Sequence, residues 1–187
     1  MRSFEFSRKL VDGVPLQEKN EDGVFEFTKQ FPDAQLPEYQ TRNSAGADFF
    51  CAEEVVIPSI WGIAVEAIKN NGLDGIKDIF KPTLVHTGIK SDMEDDEVLE
   101  LYNRSSNPKK LGLVLANGVG VVDADYYNNT DNDGEIMFAF FNFKPYDVTI
   151  KVGDRIGQGV FKKVLRPTVG LRVKDTERKG GFGSTNE

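Results

Sequence analysis

Asn117-Gly118-Val119-Gly120-Val121-Val122-Asp123-Ala124-Asp125-Tyr126 is the stretch around which the rest of this chain can be read. Two strand-like halves flank glycines, the residues that let a backbone turn tightly or lie close against a ligand. Two carboxylates and an aromatic ring follow at once. Alone, such a stretch is an ordinary β-hairpin with acidic turn residues. Its meaning depends on what stands before and after it.

Outward from it, the chain reads mostly as β. Residues 4–10 and 24–30 alternate apolar and polar, the period of a half-buried strand. Asp12-Gly13 and Asn20-Glu21-Asp22-Gly23 supply turn chemistry between them. Further strands are expected at 47–52, 54–57, 83–90, 97–103, 113–116, 118–123, 135–143, 148–151, 155–165 and 169–173. Many short strands with close turn signals predict an all-β sandwich or barrel. Residues 136–143 are apolar except for Asn142, which predicts a strand buried on both faces and points to a second subunit covering one of them.

One segment, 59–80, breaks the pattern. Ile60, Ala64, Ala67 and Ile68 stand at helical spacing, and Leu73, Ile76, Ile79 and Phe80 repeat it more weakly. Asn70-Asn71-Gly72 is a helix stop between the two runs, and Pro82 ends the second. One or two short helices are therefore expected as an insertion between strands. The tail is polar and glycine-rich, so the expected organisation is one β domain over 1–173 and a flexible arm over 174–187.

The chain's 187 residues suit one domain. No apolar run reaches the roughly 20 residues that cross a bilayer, and Met1-Arg2-Ser3-Phe4-Glu5 lacks the apolar core of a signal peptide. A cytoplasmic protein without membrane contact is expected. Cys51 is the only cysteine and His86 the only histidine, which excludes an internal disulfide and any Cys- or His-rich metal centre. Cys51 lies in an apolar run and is expected in the core. The net charge of −7 argues against general nucleic-acid binding, which needs a broad basic surface. A few arginines in one cleft would still suit a small anionic substrate.

Two further stretches have the chemistry for such an anion. Tyr102-Asn103-Arg104-Ser105-Ser106 puts a forked cationic donor and two hydroxyls at a strand end, a set suited to phosphate. Arg178-Lys179-Gly180-Gly181-Phe182-Gly183-Ser184-Thr185 is basic, glycine-rich and has one aromatic. It lacks the Gly-Lys-Ser/Thr spacing of a Walker A loop. Mobile glycines around one ring instead suit a lid that stacks on a flat base.

In chain order stand Ala45-Gly46-Ala47-Asp48, Arg104-Ser105-Ser106, the stretch Asn117 to Tyr126, Gly153-Asp154-Arg155-Ile156-Gly157-Gln158, and Gly180-Gly181-Phe182-Gly183-Ser184-Thr185. This succession resembles the five ordered motifs of the trimeric dUTPase family, over about residues 24–185. Leu36-Pro37-Glu38-Tyr39 and Thr87-Gly88-Ile89-Lys90 also resemble that family. The insertions are similar to those of phage or prophage-type members.

The resemblance implies a distorted jelly-roll that forms a homotrimer with active sites at subunit interfaces. It implies hydrolysis of dUTP to dUMP and pyrophosphate, with Mg²⁺ as cofactor. By the same resemblance Asp123 is the general base that activates the attacking water and also holds the sugar 3′-hydroxyl. Tyr126 packs against the deoxyribose and leaves no room for a 2′-hydroxyl. Asn117, with the backbone at Gly120 and Val122, reads the uracil edge. Arg104, Ser105, Ser106 and Gln158 contact the triphosphate, and Asp48 supports that network. Phe182 and Gly183 close over uracil, while Arg178, Ser184 and Thr185 meet the outer phosphates. Mg²⁺ is expected on phosphate and water oxygens, with no direct protein ligand.

The chain departs from the family pattern in places. Residues 127–133 intervene between Tyr126 and Gly134-Glu135, where the family runs on almost directly. Asn129-Thr130-Asp131-Asn132-Asp133-Gly134 is similar to the first half of an EF-hand loop, but Phe140 occupies the position of its bidentate glutamate, so a polar hairpin tip is expected. Arg178 stands one residue out of register, and Lys179 shares its expected role. The same-fold rival is dCTP deaminase, for which Glu135 would be the catalytic glutamate. The insertion 59–80 packs on its own domain, buttresses the trimer, or holds a regulatory protein.

Overall fold

The computed structural model describes residues 2–72 and 81–169. Its strands are β1 (Ser3–Phe6), β2 (Leu10–Val11), β3 (Val14–Pro15), β4 (Gln17–Lys19), β5 (Phe25–Phe27), β6 (Ala47–Phe50) and β7 (Val55–Ile57). After helix α1 (Ile60–Asn71) come β8 (Thr83–His86), β9 (Ile89–Asp92), β10 (Glu97–Asn103), β11 (Leu113–Leu115) and β12 (Gly120–Asp123). The last are β13 (Met137–Asn142), β14 (Val148–Ile150) and β15 (Arg155–Lys163).

Two antiparallel sheets form the frame, one ordered β12-β10-β15-β6 and the other β11-β13-β8. Alternation along each strand turns one row of apolar side chains inward. Phe49, Leu99, Leu101, Val122 and Ile156 of the first sheet meet Val85, Leu113, Leu115, Phe138 and Phe140 of the second in one core. The rings of Phe49 and Phe138 lie 5.6 Å apart across the gap. Glycine sets how closely the sheets approach: a Cβ on Gly157 would fall 1.9 Å from the Phe138 ring. The architecture is an all-β jelly-roll sandwich. No helix among the described residues is long and apolar enough to cross a membrane.

Most expected strands appear near their expected bounds, but 83–90 divides into β8 and β9. Gly88 has φ +66° there and sits against Ala34, so the chain turns between Thr87 and Ile89. The arms of the central stretch also do not form one hairpin ladder. β11 bonds to β13 and β12 to β10, so the turn between them crosses from one sheet to the other. The expected strand at 169–173 lies outside the described residues, apart from its first. Asn142, the polar exception in its apolar strand, donates to the carbonyls of Ile57 and Tyr146 and accepts from Lys144 N–H. A buried amide with its partners met is a corner fastening rather than a flaw.

Helix α1 begins where Ser59 accepts from Gly62 N–H and ends at Gly72, whose φ is +62°. Trp61 reaches the Phe143 carbonyl at 3.1 Å. Trp61, Val65 and Ile68 share an exposed face. The second helical run, 73–80, lies outside the described residues. Cys51 is buried as expected, and burial pushes its thiol up to about 11.

Residues 127–133 are only partly a polar tip: Asn128, Thr130 and Asp131 are exposed, but the segment also reaches inward. Asp133 and Asn129 are buried, and Asp133 pairs with Arg8 and with the almost wholly buried Lys90. Burial pushes the Lys90 ammonium below its usual value, with the Asp133 contact acting the other way. The N-terminal residues belong to the fold: β1 pairs with β9, and Phe4 packs on Phe49 and Phe161. Glu135 is buried and receives bonds from Gly88 N–H and Gln30, with His86 Nδ1 at 3.0 Å.

Two outcomes follow from this packing. Gly157→Ala should lower stability by about 1–3 kcal/mol through overpacking, read as a lower denaturant midpoint at unchanged slope; a midpoint within error of wild type would contradict the inter-sheet contact. The single imidazole should titrate above 6.5, because its hydrogen bond to Glu135 favours the charged form. Its stabilising effect is thus full below pH 6.5 and is lost as pH rises through the raised value. A proton NMR titration reads this directly, and Glu135→Gln should return the resonance to an ordinary pKa.

Candidate active site

The pairing of β15 with its two neighbours places Asp48, Gln158 and Tyr102 in one row across three strands. Asp48 is almost fully buried, and both of its oxygens are engaged. Oδ1 accepts from Gln158 Nε2 at 2.9 Å, and Oδ2 from Arg155 Nη1 at 3.1 Å. Arg104, just past the end of β10, brings Nε to 3.8 Å from Oδ1 and donates through Nη1 to the Arg155 carbonyl. One buried carboxylate therefore holds two guanidinium groups that would otherwise repel each other. The cluster keeps a net positive charge and forked donors, the set that receives phosphate oxygens.

Ser105 is exposed and Ser106 half-buried at the start of the turn Asn107–Leu111. Asn107, which the sequence reading passed over, is buried and donates to Asn103 Oδ1 at 2.8 Å and the Ile156 carbonyl at 2.7 Å. It ties the Arg104–Ser105–Ser106 turn to β15. Arg155, within the Gly153–Gln158 motif, is a second such residue. Its signal was present as an arginine beside an acidic residue at a strand start, but the Asp48 partner is remote in sequence.

The central stretch divides its labour by geometry. Gly118 has φ +70°, which only glycine adopts at low cost. Gly120 faces β10 so closely that a Cβ would meet Leu101 at 3.0 Å. Val122 turns its side chain into the core, whereas Val121 and Asp123 share the exposed face of β12. Asn117 is exposed in the crossing turn. Tyr126 is buried, donates its hydroxyl to the Glu135 carbonyl at 3.0 Å and accepts from Asn132 Nδ2 at 2.8 Å.

The two halves of the expected site do not meet within one chain. Asp123 lies opposite Val98 near the start of β10, while Arg104 follows that strand's other end. Six residue steps of extended strand separate these points by about 20 Å. Asp48, Arg104 and Gln158 converge; Asp123 and Tyr126 stand apart from them. Arg178, Phe182, Gly183, Ser184 and Thr185 lie outside the described residues. Among the described residues no group of His, Cys, Asp and Glu side chains is arranged to hold a metal ion. The EF-hand reading also fails on geometry, since Asp133 is committed to Arg8 and Lys90.

The dUTPase family profile matches residues 76–186. The deoxyuridine 5′-triphosphate nucleotidohydrolase of Lactococcus lactis subsp. lactis is 40% identical over 163 residues, covering 86% of this chain and 95% of that protein. Among solved structures, dUTPase from Streptococcus mutans matches with a TM-score of 0.59 and 37% identity, over 73% of this chain and 94% of the other. A mutant dUTPase from phage phi11 of S. aureus, whose structure concerns the coordination of a structural Mg(II) ion, shares the fold at 18% identity and a TM-score of 0.56, over 79% of this chain and 95% of its own. By profile and by identity along most of its length, this chain belongs to the dUTPase family.

Proposed function

We propose that this protein hydrolyses dUTP to dUMP and pyrophosphate at sites shared between subunits of a homotrimer. The observation that carries the shared site is the separation of Asp123 from the Asp48–Arg104–Gln158 cluster along β10. A nucleotide needs both at once, so one subunit's cluster must face another subunit's Asp123.

In this reading Arg104, Ser105, Ser106 and Gln158 bind the triphosphate, with Asp48 and Arg155 fixing their positions. The crossing turn at Asn117 and the backbone of Gly120 and Val122 read the uracil edge. Donor and acceptor mismatch excludes cytosine more strongly than one methyl excludes thymine. Asp123 holds the 3′-hydroxyl and accepts a proton from the water that attacks the α-phosphorus in line with departing pyrophosphate. Tyr126 is the wall against the sugar. Phe182, Gly183, Ser184, Thr185 and Arg178, with Lys179 sharing the cationic role, close the site from the arm. Mg²⁺ on phosphate and water oxygens would neutralise charge on the triphosphate; the chain's own part is to present cations rather than a metal cage, since Asp48 has both oxygens engaged.

The deaminase alternative is weakened by Glu135. That carboxylate is buried and held by His86, Gly88 and Gln30, away from any substrate role. The single buried cysteine accords with a cytoplasmic enzyme. On α1, the exposed face of Trp61, Val65 and Ile68 is where we place a regulatory partner. Co-purification from host extract that survives Trp61→Glu would remove that assignment.

Pyrophosphate release should occur with dUTP and Mg²⁺, and not at comparable rates with dCTP, dTTP or UTP. Ammonia from dCTP without pyrophosphate from dUTP would overturn the proposal. Asp123→Asn should keep dUTP binding and lose about 10²–10⁴-fold in turnover, the usual range for a general base; near-normal turnover would refute the role of Asp123.

A further inference from the structure

The 127–133 insertion, the N-terminal segment and the buried Lys90 have no part in the chemistry above, yet they form one connected object. Its neck is Gly134, at φ +82°, where a Cβ would lie 2.8 Å from the Tyr126 carbonyl oxygen and 2.9 Å from Asn128 N. The loop therefore closes directly on Tyr126. Inside it, Asn129 Nδ2 donates to the Tyr126 carbonyl at 2.9 Å and to Asn132 Oδ1 at 2.8 Å. Asn132 Oδ1 also accepts from Gly134 N–H, and Asn132 Nδ2 donates to the Tyr126 hydroxyl at 2.8 Å and the Glu135 carbonyl at 3.2 Å.

The outer side of the loop is anchored. Arg8 donates from its backbone N–H to Asp133 Oδ2 at 2.7 Å and from Nε to Oδ1 at 2.9 Å. Lys90 Nζ reaches Asp133 Oδ2 at 3.0 Å, with both side chains almost wholly buried. Asn128 Oδ1 accepts from both Arg8 and Lys90. Asn128 and Asp133 adopt φ of 56° and 58°, a conformation that Asn and Asp tolerate better than most residues. These bonds hold the insertion to β9 and to the residues after β1.

We propose that the 127–133 insertion, anchored by Arg8 and Lys90, is a specificity-determining brace that fixes the Tyr126 ring where it excludes a 2′-hydroxyl. The inference rests on the reading of Tyr126 as the sugar wall. A wall rejects one extra oxygen only if it cannot recede. A phenol bonded both as donor and as acceptor has its ring position set at the far end as well as at Cα. Asn132 supplies the bond that the strand framework alone does not. Asn132 and Arg8 are thus positioning residues, acting on the sugar through Tyr126.

The test compares kcat and KM for dUTP and UTP, together with Tm, in wild type, Tyr126→Phe, Asn132→Ala and Arg8→Met. The brace predicts that the ratio of kcat/KM for dUTP over UTP falls by about 10-fold or more, mainly through gain on UTP, since steric discrimination of a single small group spans about that range. Tyr126→Phe removes only the hydroxyl, so it keeps the test decisive if Asn132→Ala does not fold. If Tyr126→Phe and Arg8→Met keep the ratio within about twofold of wild type while Tm falls, the loop is merely structural and the proposal fails. A wild-type protein inactive on dUTP would instead sink the activity assignment itself, which separates the two failures.

Discussion

Strand β10 is hydrogen-bonded along both edges, to β12 on one side and β15 on the other. That double pairing fixes where chemistry can lie. Antiparallel register puts Asp123 against one end of β10 and carries Gln158, with its Asp48 partner, toward the other. A strand has no slack to bring its ends together, because each residue advances the chain by about 3.3 Å. The fold thus keeps the two halves of the proposed site apart. On the proposed reading, catalysis depends on how copies meet.

A buried carboxylate with its bonds met anchors the structure near each end. Asp48 gathers Arg155, Gln158 and Arg104 at one end. Asp133 gathers Arg8 and Lys90 beside the other. Removing one partner from such a group leaves a charge that burial makes costly, so both clusters demand that distant segments stay in place. The N-terminal residues and the 127–133 insertion are consequently tied into the fold through the same physics that holds the Asp48–Arg155–Gln158 cluster.

Much of the fold was legible because its strands follow simple alternation. β10 appears at its expected bounds, and α1 lies in the expected 59–80 segment and ends at the expected Asn70-Asn71-Gly72 stop. The break at Gly88 was harder to read, since the Ala34 contact that leaves no room for a side chain there comes from far away in sequence. The candidate residues were legible by their order along the chain, which composition alone could not supply. The burial of Asp133 was not: its run of Asn and Asp looks like a solvated tip, and only Arg8 and Lys90, both remote, draw that carboxylate inward.

The most direct measurement mixes two inactive variants, Asp123→Asn and Arg104→Gln, under conditions that exchange subunits. Each parent lacks one half-site in every chain. If one subunit's Asp123 serves another's Arg104 cluster, about a quarter of the sites in an equal mixture draw both intact halves from different chains of a symmetric oligomer, and pyrophosphate release from dUTP should recover toward that fraction. Activity that stays at the level of the separate variants, with exchange verified, would contradict the account.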